Sequence, residues 1–322
     1  LFAYITLCMC KNITTDNQFN VKMKHLNKNF WFNYSKALYH CMMTKVMPIL
    51  MNDERAVYYY YYKRSGGCKL NLEHPVRFSE KLQWYKLHSR KPLMEECANK
   101  LMVRHYIKTC GYGYLLNDVL QIYHNVSEID YDVLPNQFVL KGTHGSGMNV
   151  IVTDKKTINK RRINMMLAAW MHQDNYWSGR EWVYKDMPRH IIAEKYLEDE
   201  TGGLRDYKFY CFNGKPVFMQ LEIGRGTLHN TRNFYDMDWQ LLPFGKELPY
   251  NPNEVVQQPD VFDEMKKIAT NLCKPFQYVR VDMYQISGKI YFGELTFFPA
   301  GGAPDFVPDK YDEIVGNMWK LE

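Results

Sequence analysis

In the first third of the chain, apolar positions recur at helical spacing. After Pro75, the run HPVRFSEKLQWYKLHSR sets Phe78, Leu82 and Tyr85 on one stripe, which predicts a helix from about Ser79. Met94, Ala98, Leu101 and Met102 form another stripe over about 94–109, with Lys100 and Arg104 one turn apart on the same side. Upstream, KALYHCMMTKVMPILM (36–51) reads as a core helix, with a membrane-surface helix as the alternative. From residue 118 the pattern changes to short apolar runs and alternation. DVLQIYH (118–124) predicts a strand, and FVLKGTHGSGMNVIV (138–152) predicts strand, glycine loop, strand. HIIAEKYLEDE (190–200) predicts an apolar strand running into acids. Asn213-Gly214 inside LRDYKFYCFNGKPVFMQLEI (204–223) is a strong hairpin signal. YVRVDMYQISGKIYFGELTFFPAGG (278–302) predicts a further hairpin, turning at Ser287-Gly288-Lys289.

These elements bring chemistry-bearing residues together. No Lys-Ser/Thr follows Gly147, which excludes a Walker A loop, and a strand rather than a helix follows the glycines, which excludes the dinucleotide fingerprint. Gly145-Ser146-Gly147 fits a loop that donates backbone N–H groups to phosphates, with Lys141 as a point charge; an ordinary hairpin turn is the alternative. At Glu194-Lys195-Tyr196-Leu197, apolar walls suit a purine and an acid just beyond suits ribose hydroxyls; the alternative is a strand leaving the core. A three-residue loop in the last hairpin sets Asp282 opposite Glu294 and Arg280 opposite Thr296 on one face. Like charges so placed repel, and a divalent cation such as Mg²⁺ is the common reason for them. A two-residue loop turns Glu294 to the other face and dissolves the pair. Lys208 either reaches phosphate or forms a surface pair with Asp206. The segment GRGTLHNTRN (224–233), with Arg225 and Arg232, reads as a loop for an anionic substrate. Asp236-Met237-Asp238 is a DxD of the kind that binds nucleotide sugars in glycosyltransferases, and a turn border otherwise.

Composition adds bounds. The 322 residues are 46% hydrophobic and 24% charged, with 25 Tyr, 17 Phe and 7 Trp, enough for one large core or two to three lobes. A net charge of +6 suits anionic ligands or an anionic membrane surface and is too small to argue for nucleic acid. The eight cysteines show no CxxC spacing and read as reduced, mostly buried thiols of a cytosolic protein. The opening LFAYITLCMC is too short to span a bilayer and reads as a packed or disordered tail, or as the end of a truncated signal or anchor.

The order of these features resembles the ATP-grasp superfamily. FSEKLQWYKL, NKLMVRHYI, LPNQFVLKGTHGSGMNVIV and GELTFFPAGG are similar to the TupA-like ATP-grasp family over roughly residues 50–322. That family is named for teichuronopeptide biosynthesis and is common in cell-surface polysaccharide loci. The resemblance implies an α/β (α+β) fold of mostly antiparallel sheets in two lobes clamping ATP. The expected parts are a helical lead-in (1–70), a region preceding the grasp (71–130), a lid with the glycine hairpin (131–200) and a C-terminal part with the metal and substrate site (201–322). It implies that Lys100 and Lys141 contact ATP phosphates, that Gly145, Ser146 and Gly147 cover them with His144 near the loop's base, and that Glu194, Lys195, Tyr196 and Leu197 hold adenine. Lys208 approaches the phosphates, Asp282 and Glu294 ligate Mg²⁺, and Arg280 steadies the transferred phosphoryl group. Thr296 stands where the superfamily usually has Asn, which weakens that metal contact. The expected activity is an ADP-forming carboxylate–amine ligase. It joins an amino acid or amine to an anionic, uronic-acid-like carbohydrate bound by the 224–233 loop with Arg232, in the cytoplasm and with peripheral membrane contact as an option. A kinase with a hydroxyl acceptor, a glycosyltransferase using Asp236 and Asp238, and a non-catalytic nucleotide binder are the alternatives.

Overall fold

A computed structural model of the chain describes residues 34, 35, 38, 42, 46, 51–199, 204–223, 231–246, 250–254 and 256–321. The N-terminal stub with Cys8 and Cys10, most of the 36–51 stretch with Cys41, and residues 224–230 of the expected substrate loop lie outside the described residues. Among the described residues, Cys97, Cys211 and Cys273 are buried, Cys110 is half-buried and Cys68 is exposed, all as free thiols.

Helix α1 (Asp53–Arg64) begins at Asn52, whose side chain accepts the Arg55 N–H at 2.9 Å. Helix α2 (Phe78–His88) starts within a residue of the expected position. Glu80 accepts the N–H groups of Val76 and Arg77 at 3.0 Å each, satisfying donors that the first turn leaves open. Phe78 drives α2 into an aromatic cluster with Tyr210, Phe212, Tyr278, Phe306 and Trp319 at centroid distances of 5.3–6.3 Å.

The single helix expected over 94–109 is instead two, α3 (Pro92–Ala98) and α4 (Val103–Thr109). The Asn99 side chain causes the break, accepting the Leu101 and Met102 N–H groups at 2.9 and 3.1 Å. Lys100 therefore sits in a turn, and its N–H donates to Thr143 O at 3.1 Å beside the glycine loop. Arg104 points elsewhere, to Asn117 O.

Strands β1 (Val119–Tyr123), β2 (Phe138–Gly142), β3 (Asn149–Val152) and β4 (Ile191–Lys195) form an antiparallel sheet in the order β1-β4-β2-β3. Helix α5 (Lys160–His172) supplies Met166, Leu167 and Trp170 to a core with Phe138, Leu140 and Ile191. A short helix, α6 (Tyr176–Gly179), leads back toward β4.

The larger sheet has the order β11-β10-β5-β6-β7-β8, antiparallel throughout. Its strands are β5 (Asp206–Phe212), β6 (Lys215–Ile223), β7 (Thr231–Asp236), β8 (Leu241–Leu242), β10 (Tyr278–Ile286) and β11 (Lys289–Thr296), while β9 (Gly245–Lys246) pairs with β12 (Phe306–Val307). Helix α7 (Phe262–Cys273) covers one face, its Phe262 stacked on Phe209 at 5.8 Å. The other face is capped at one end by the Phe78 cluster and carries charged side chains at the other. Helix α8 (Lys310–Asn317) ties back to α2, with Asp312 accepting from Ser79 N–H and Arg77 Nε at 2.9 Å each.

Two irregularities set the register of the charged face. The last hairpin turns on two residues, Ser287-Gly288, with Ile286 opposite Lys289, so the expected three-residue loop is wrong. The expected pairing nevertheless holds, with Asp282 opposite Glu294 and Arg280 opposite Thr296, because the register shifts between Asp282 and Met283. Gly293 is the extra residue, and a β-carbon there would lie 2.9 Å from Asp282 O. The β5–β6 hairpin turns on Asn213-Gly214, both at positive φ, as the sequence predicts. It shifts by one residue at Val217, after Pro216, so that Asp206 opposes Glu222 and not Leu221.

Candidate functional site

The charged face of the larger sheet is assembled strand by strand: Glu294 and Thr296 from β11, Arg280 and Asp282 from β10, Asp206 and Lys208 from β5, Glu222 from β6 and Arg232 from β7. Arg280 donates through Nε and Nη2 to the two oxygens of Asp282 at 2.7 and 2.6 Å, a bidentate grip, and Nη2 also donates to Thr296 Oγ1 at 3.2 Å. Thr296 Oγ1 in turn donates to Glu294 Oε1 at 3.4 Å. Lys208 Nζ lies 3.3 Å from Asp206, 3.7 Å from Glu222 and 3.9 Å from Asp282. The Lys208–Asp206 pair is not on the surface, for Asp206 is 1% exposed. Arg232 belongs to strand β7 rather than to a loop, 3.7 Å from Glu222.

The two opposed carboxylates sit in different fields. Burial pushes Asp282 up to about 6, against the pull of Arg280 and Lys208. For Glu294 burial also raises the pKa, but Lys100, Arg280, Lys208 and Lys141 together outweigh it and hold the carboxyl below its ordinary value. Glu294, whose side chain is 43% exposed, thus lies in the field of cations from both sheets: Arg280, 3.7 Å away, and Lys208 from the larger, Lys141 from the smaller, and Lys100 from the turn between α3 and α4. Burial lowers the pKa of Lys100 itself, and Glu294 is the largest opposing influence. Tyr184, which the sequence did not single out, lies in the same field: burial first, then the Glu181 and Glu294 carboxylates, push its hydroxyl well above the ordinary range.

The smaller sheet presents the expected nucleotide residues. Lys141 Nζ bonds Glu194 Oε2 at 2.6 Å across β2 and β4. Lys100 Nζ donates to Gly145 O at 2.5 Å. The glycines are demanded by close approach and by backbone conformation: a β-carbon on Gly145 would lie 1.4 Å from the Asn175 side chain, and Gly147 has φ +73°. Ser146 is exposed at the tip. His144 does not face the cleft; it is 2% exposed, and its Nε2 meets Trp170 O at 2.8 Å in the core of the smaller sheet. Burial lowers its pKa to about 4. Lys195 has both backbone groups engaged, its N–H by Asp118 O and its carbonyl by Asn117 Nδ2, while Tyr196 and Leu197 are half-buried just beyond.

The loop after β11 is held from behind. Lys86, with no exposed surface, donates to Gln83 Oε1, Gly179 O and Gly301 O at 2.9, 2.8 and 2.7 Å. Gln83 Nε2 donates to Gly302 O at 2.8 Å, and Tyr60 OH donates to Ala300 O at 2.9 Å. These residues carry no sequence signal beyond helical spacing.

Asp236 and Asp238 lie away from this constellation. Asp236 Oδ1 accepts the Asp238 and Gln240 N–H groups at 2.9 and 2.8 Å, closing the turn between β7 and β8. The DxD is a turn.

Among solved structures, the chain resembles D-alanine–D-alanine ligase from Bacillus anthracis complexed with ATP (15% identity, TM-score 0.37, covering 63% of this chain and 55% of that one). It also resembles D-alanine–D-alanine ligase from Helicobacter pylori (13%, 0.40, 76% and 69%) and L-amino acid ligase from Bacillus licheniformis (14%, 0.38, 70% and 49%). The chain spans 55% to 64% of the first ligase chains it matches. No match was found among curated proteins. The family model described as TupA-like ATPgrasp matches residues 80–320, which is most of the chain. This chain belongs to the TupA-like ATP-grasp family.

Proposed function

We propose that the chain is an ATP-dependent carboxylate–amine ligase that joins an amino acid or other amine to a carboxylate of an anionic cell-surface polysaccharide or its precursor. The observation that carries this reading is the opposed pair Asp282 and Glu294 on one sheet face, with Arg280 2.6 Å from Asp282 and 3.7 Å from Glu294 and Lys208 3.9 Å from Asp282. Phosphoryl transfer needs a place where the charge on the phosphates is neutralised from several sides. Binding adenine through residues 194–197 would not by itself call for this arrangement.

The donor set fits Mg²⁺: two opposed carboxylates and the Thr296 hydroxyl are hard oxygen ligands, and phosphate oxygens complete such a shell. Asp282 and Glu294 would hold the ion, which when bound neutralises phosphate charge as a Lewis acid. Lys141 and Lys100 would meet the phosphates under the 145–147 loop, and Arg280, already oriented by Asp282 and Thr296, would steady the group in transfer. A carboxylate oxygen of the acid substrate attacks the γ-phosphorus, the bond to the β–γ bridging oxygen breaks, and ADP leaves. The amine nitrogen then attacks the activated carbonyl carbon, inorganic phosphate departs with the electron pair, and the nitrogen loses a proton as the amide forms. Arg232 and the 224–230 segment would bind the acid. ATP places this chemistry in the cytoplasm; among the described residues no helix is long and apolar enough to cross a membrane.

The test is ADP release with uronic-acid oligomers and amino acids supplied separately and together. The expected result is ADP, phosphate and amide in equal amounts only when acid and amine are both present, lost in Asp282→Asn. ADP formed with phosphate retained on the glycan would replace the ligase with a kinase. Unchanged turnover in Asp282→Asn would remove the site altogether.

A further inference from the structure

Helix α1 contains five consecutive tyrosines, and the fold uses two of them. Tyr61 is 1% exposed, with its hydroxyl 3.2 Å from Ser79 Oγ, and Tyr60 bonds Ala300 O. Tyr58, Tyr59 and Tyr62 fall on the opposite side of the helix and are 38%, 56% and 55% exposed. Neither packing nor helix propensity asks for aromatic rings at solvent-facing positions, where straight-chain residues do better. A cluster of exposed rings marks a contact surface.

The three rings, with Lys69 and Leu70, line a shallow groove of about 360 Å³. Leu70 is 7% exposed and floors it. Lys63 and Arg64 stand in the last turn of the helix, so this end is cationic, whereas the exposed acid Glu54 lies at the other end. A bilayer surface calls for rings that protrude; here they wall a concavity. Ring faces edged by hydroxyls, with cations alongside, match a pyranose chain, whose C–H faces are apolar and whose rim is polar, when that chain bears carboxylates.

We propose that this groove is a second, non-catalytic binding site for an anionic glycan chain. The inference rests on the ligase reading for the identity of the polymer. The inner face of the same helix holds the loop after β11 through Tyr60, so a chain seated on the outer face lies about one helix diameter, on the order of 10–12 Å, from that loop. Anchoring there raises the effective concentration of the polymer's carboxylates at the cleft.

The experiment titrates the full chain, without nucleotide, with oligogalacturonate and separately with neutral dextran oligomers, by calorimetry and tyrosine fluorescence. Oligogalacturonate binds and dextran binds more weakly. The combined variant Tyr58→Ser, Tyr59→Ser, Tyr62→Ser loses at least about tenfold in affinity while keeping its unfolding temperature. Lys69→Glu, which leaves the rings in place, also weakens oligogalacturonate. ADP release with a monomeric uronic acid and an amine, a substrate too short to span groove and site, reads the catalytic proposal separately, so failure of that reading and failure of this one are told apart. Unchanged affinity in both groove variants overturns the proposal, as does absence of glycan binding by the parent. Tyrosine-dependent binding to phosphatidylglycerol vesicles in place of glycan would also overturn it and make the groove a membrane contact.

Discussion

Gly293→Ala tests the idea that one residue sets the opposition of Asp282 and Glu294, the proposed metal ligands. Gly293 is the extra residue that brings Glu294 back across from Asp282 after a two-residue turn. A β-carbon there would lie 2.9 Å from Asp282 O, and 3.2 Å from both Asp282 C and the Tyr284 ring. The nearest atom is backbone of Asp282, the proposed metal ligand, so relief must displace that backbone. Overpacking of this kind costs about 1–3 kcal/mol. If half of that appears as misplacement of the two carboxylates, Mg²⁺-nucleotide affinity falls by roughly twofold to twelvefold. Gly288→Ala is the control: its φ of +79° makes a side chain cost about 1–2 kcal/mol, yet nothing lies within 4 Å of the added carbon and the turn is remote from the carboxylates. Chemical denaturation would report both losses of stability, and calorimetric titration with Mg²⁺-ATP would report affinity. Comparable destabilisation with weakened binding in Gly293→Ala alone is the expected pattern. Equal affinity in the two variants would refute the assignment of register to the bulge.

Three further outcomes follow from the geometry. Lys141→Ala should abolish most of the thermal stabilisation given by Mg²⁺-ATP, about 2.7 kcal/mol at 100 times Kd, and full retention would remove Lys141 from the phosphate site. His144, whose pKa is lowered from 6.5 to about 4 by burial, binds a proton in the unfolded chain before it does in the folded one, so stability is lost as pH falls below 6.5 toward 4. The His144 contribution is on the order of 3 kcal/mol and is read as the difference in slope between the parent and His144→Gln, because Asp282, raised to about 6, acts in the opposite sense over the same range in both; unfolding midpoints across that range are the measurement, and parallel slopes would contradict the assignment. Asp236→Ala removes the acceptor for two turn N–H groups and should cost about 1–2 kcal/mol in unfolding experiments without altering ADP release, whereas loss of turnover at full stability would restore a catalytic role to the DxD.

The sequence was most legible where local chemistry decides structure. Asn213-Gly214 marks its hairpin because both residues must take positive φ, and the glycine loop breaks two strands where it should. Register was less legible, because a bulge is a long-range compromise between strands. Asp282 and Glu294 were paired correctly from a loop one residue too long, an error that Gly293 cancels. Counting from Asn213-Gly214 would set Asp206 against Leu221, and the shift at Val217 is what brings in Glu222. The Pro216 that precedes it was the available signal, since proline cannot sustain the ladder. Periodicity alone also missed that Asn99 would end one helix and start the next, placing Lys100 in a turn against the glycine loop. Burial separates the remaining cases: His144 and the Lys208–Asp206 pair are polar in sequence, and tertiary packing decides that one serves a core and the other a cleft.

The Lys86 cage also bears on how this chain can change by mutation. One ammonium satisfies three oxygens from α2, the end of α6 and the loop after β11, and no single substitution reproduces three donors at that point. Methionine would leave acceptors unpaired in a dry interior, and arginine would bring a larger fork into a space already filled. In a saturation library selected for folding, position 86 should therefore tolerate almost nothing, while its helix neighbour Leu87 accepts several apolar residues. Drift at the cage would require coordinated changes in three separate stretches of sequence, so the loop after β11, behind the proposed site, is held still while residues lining that site can diversify.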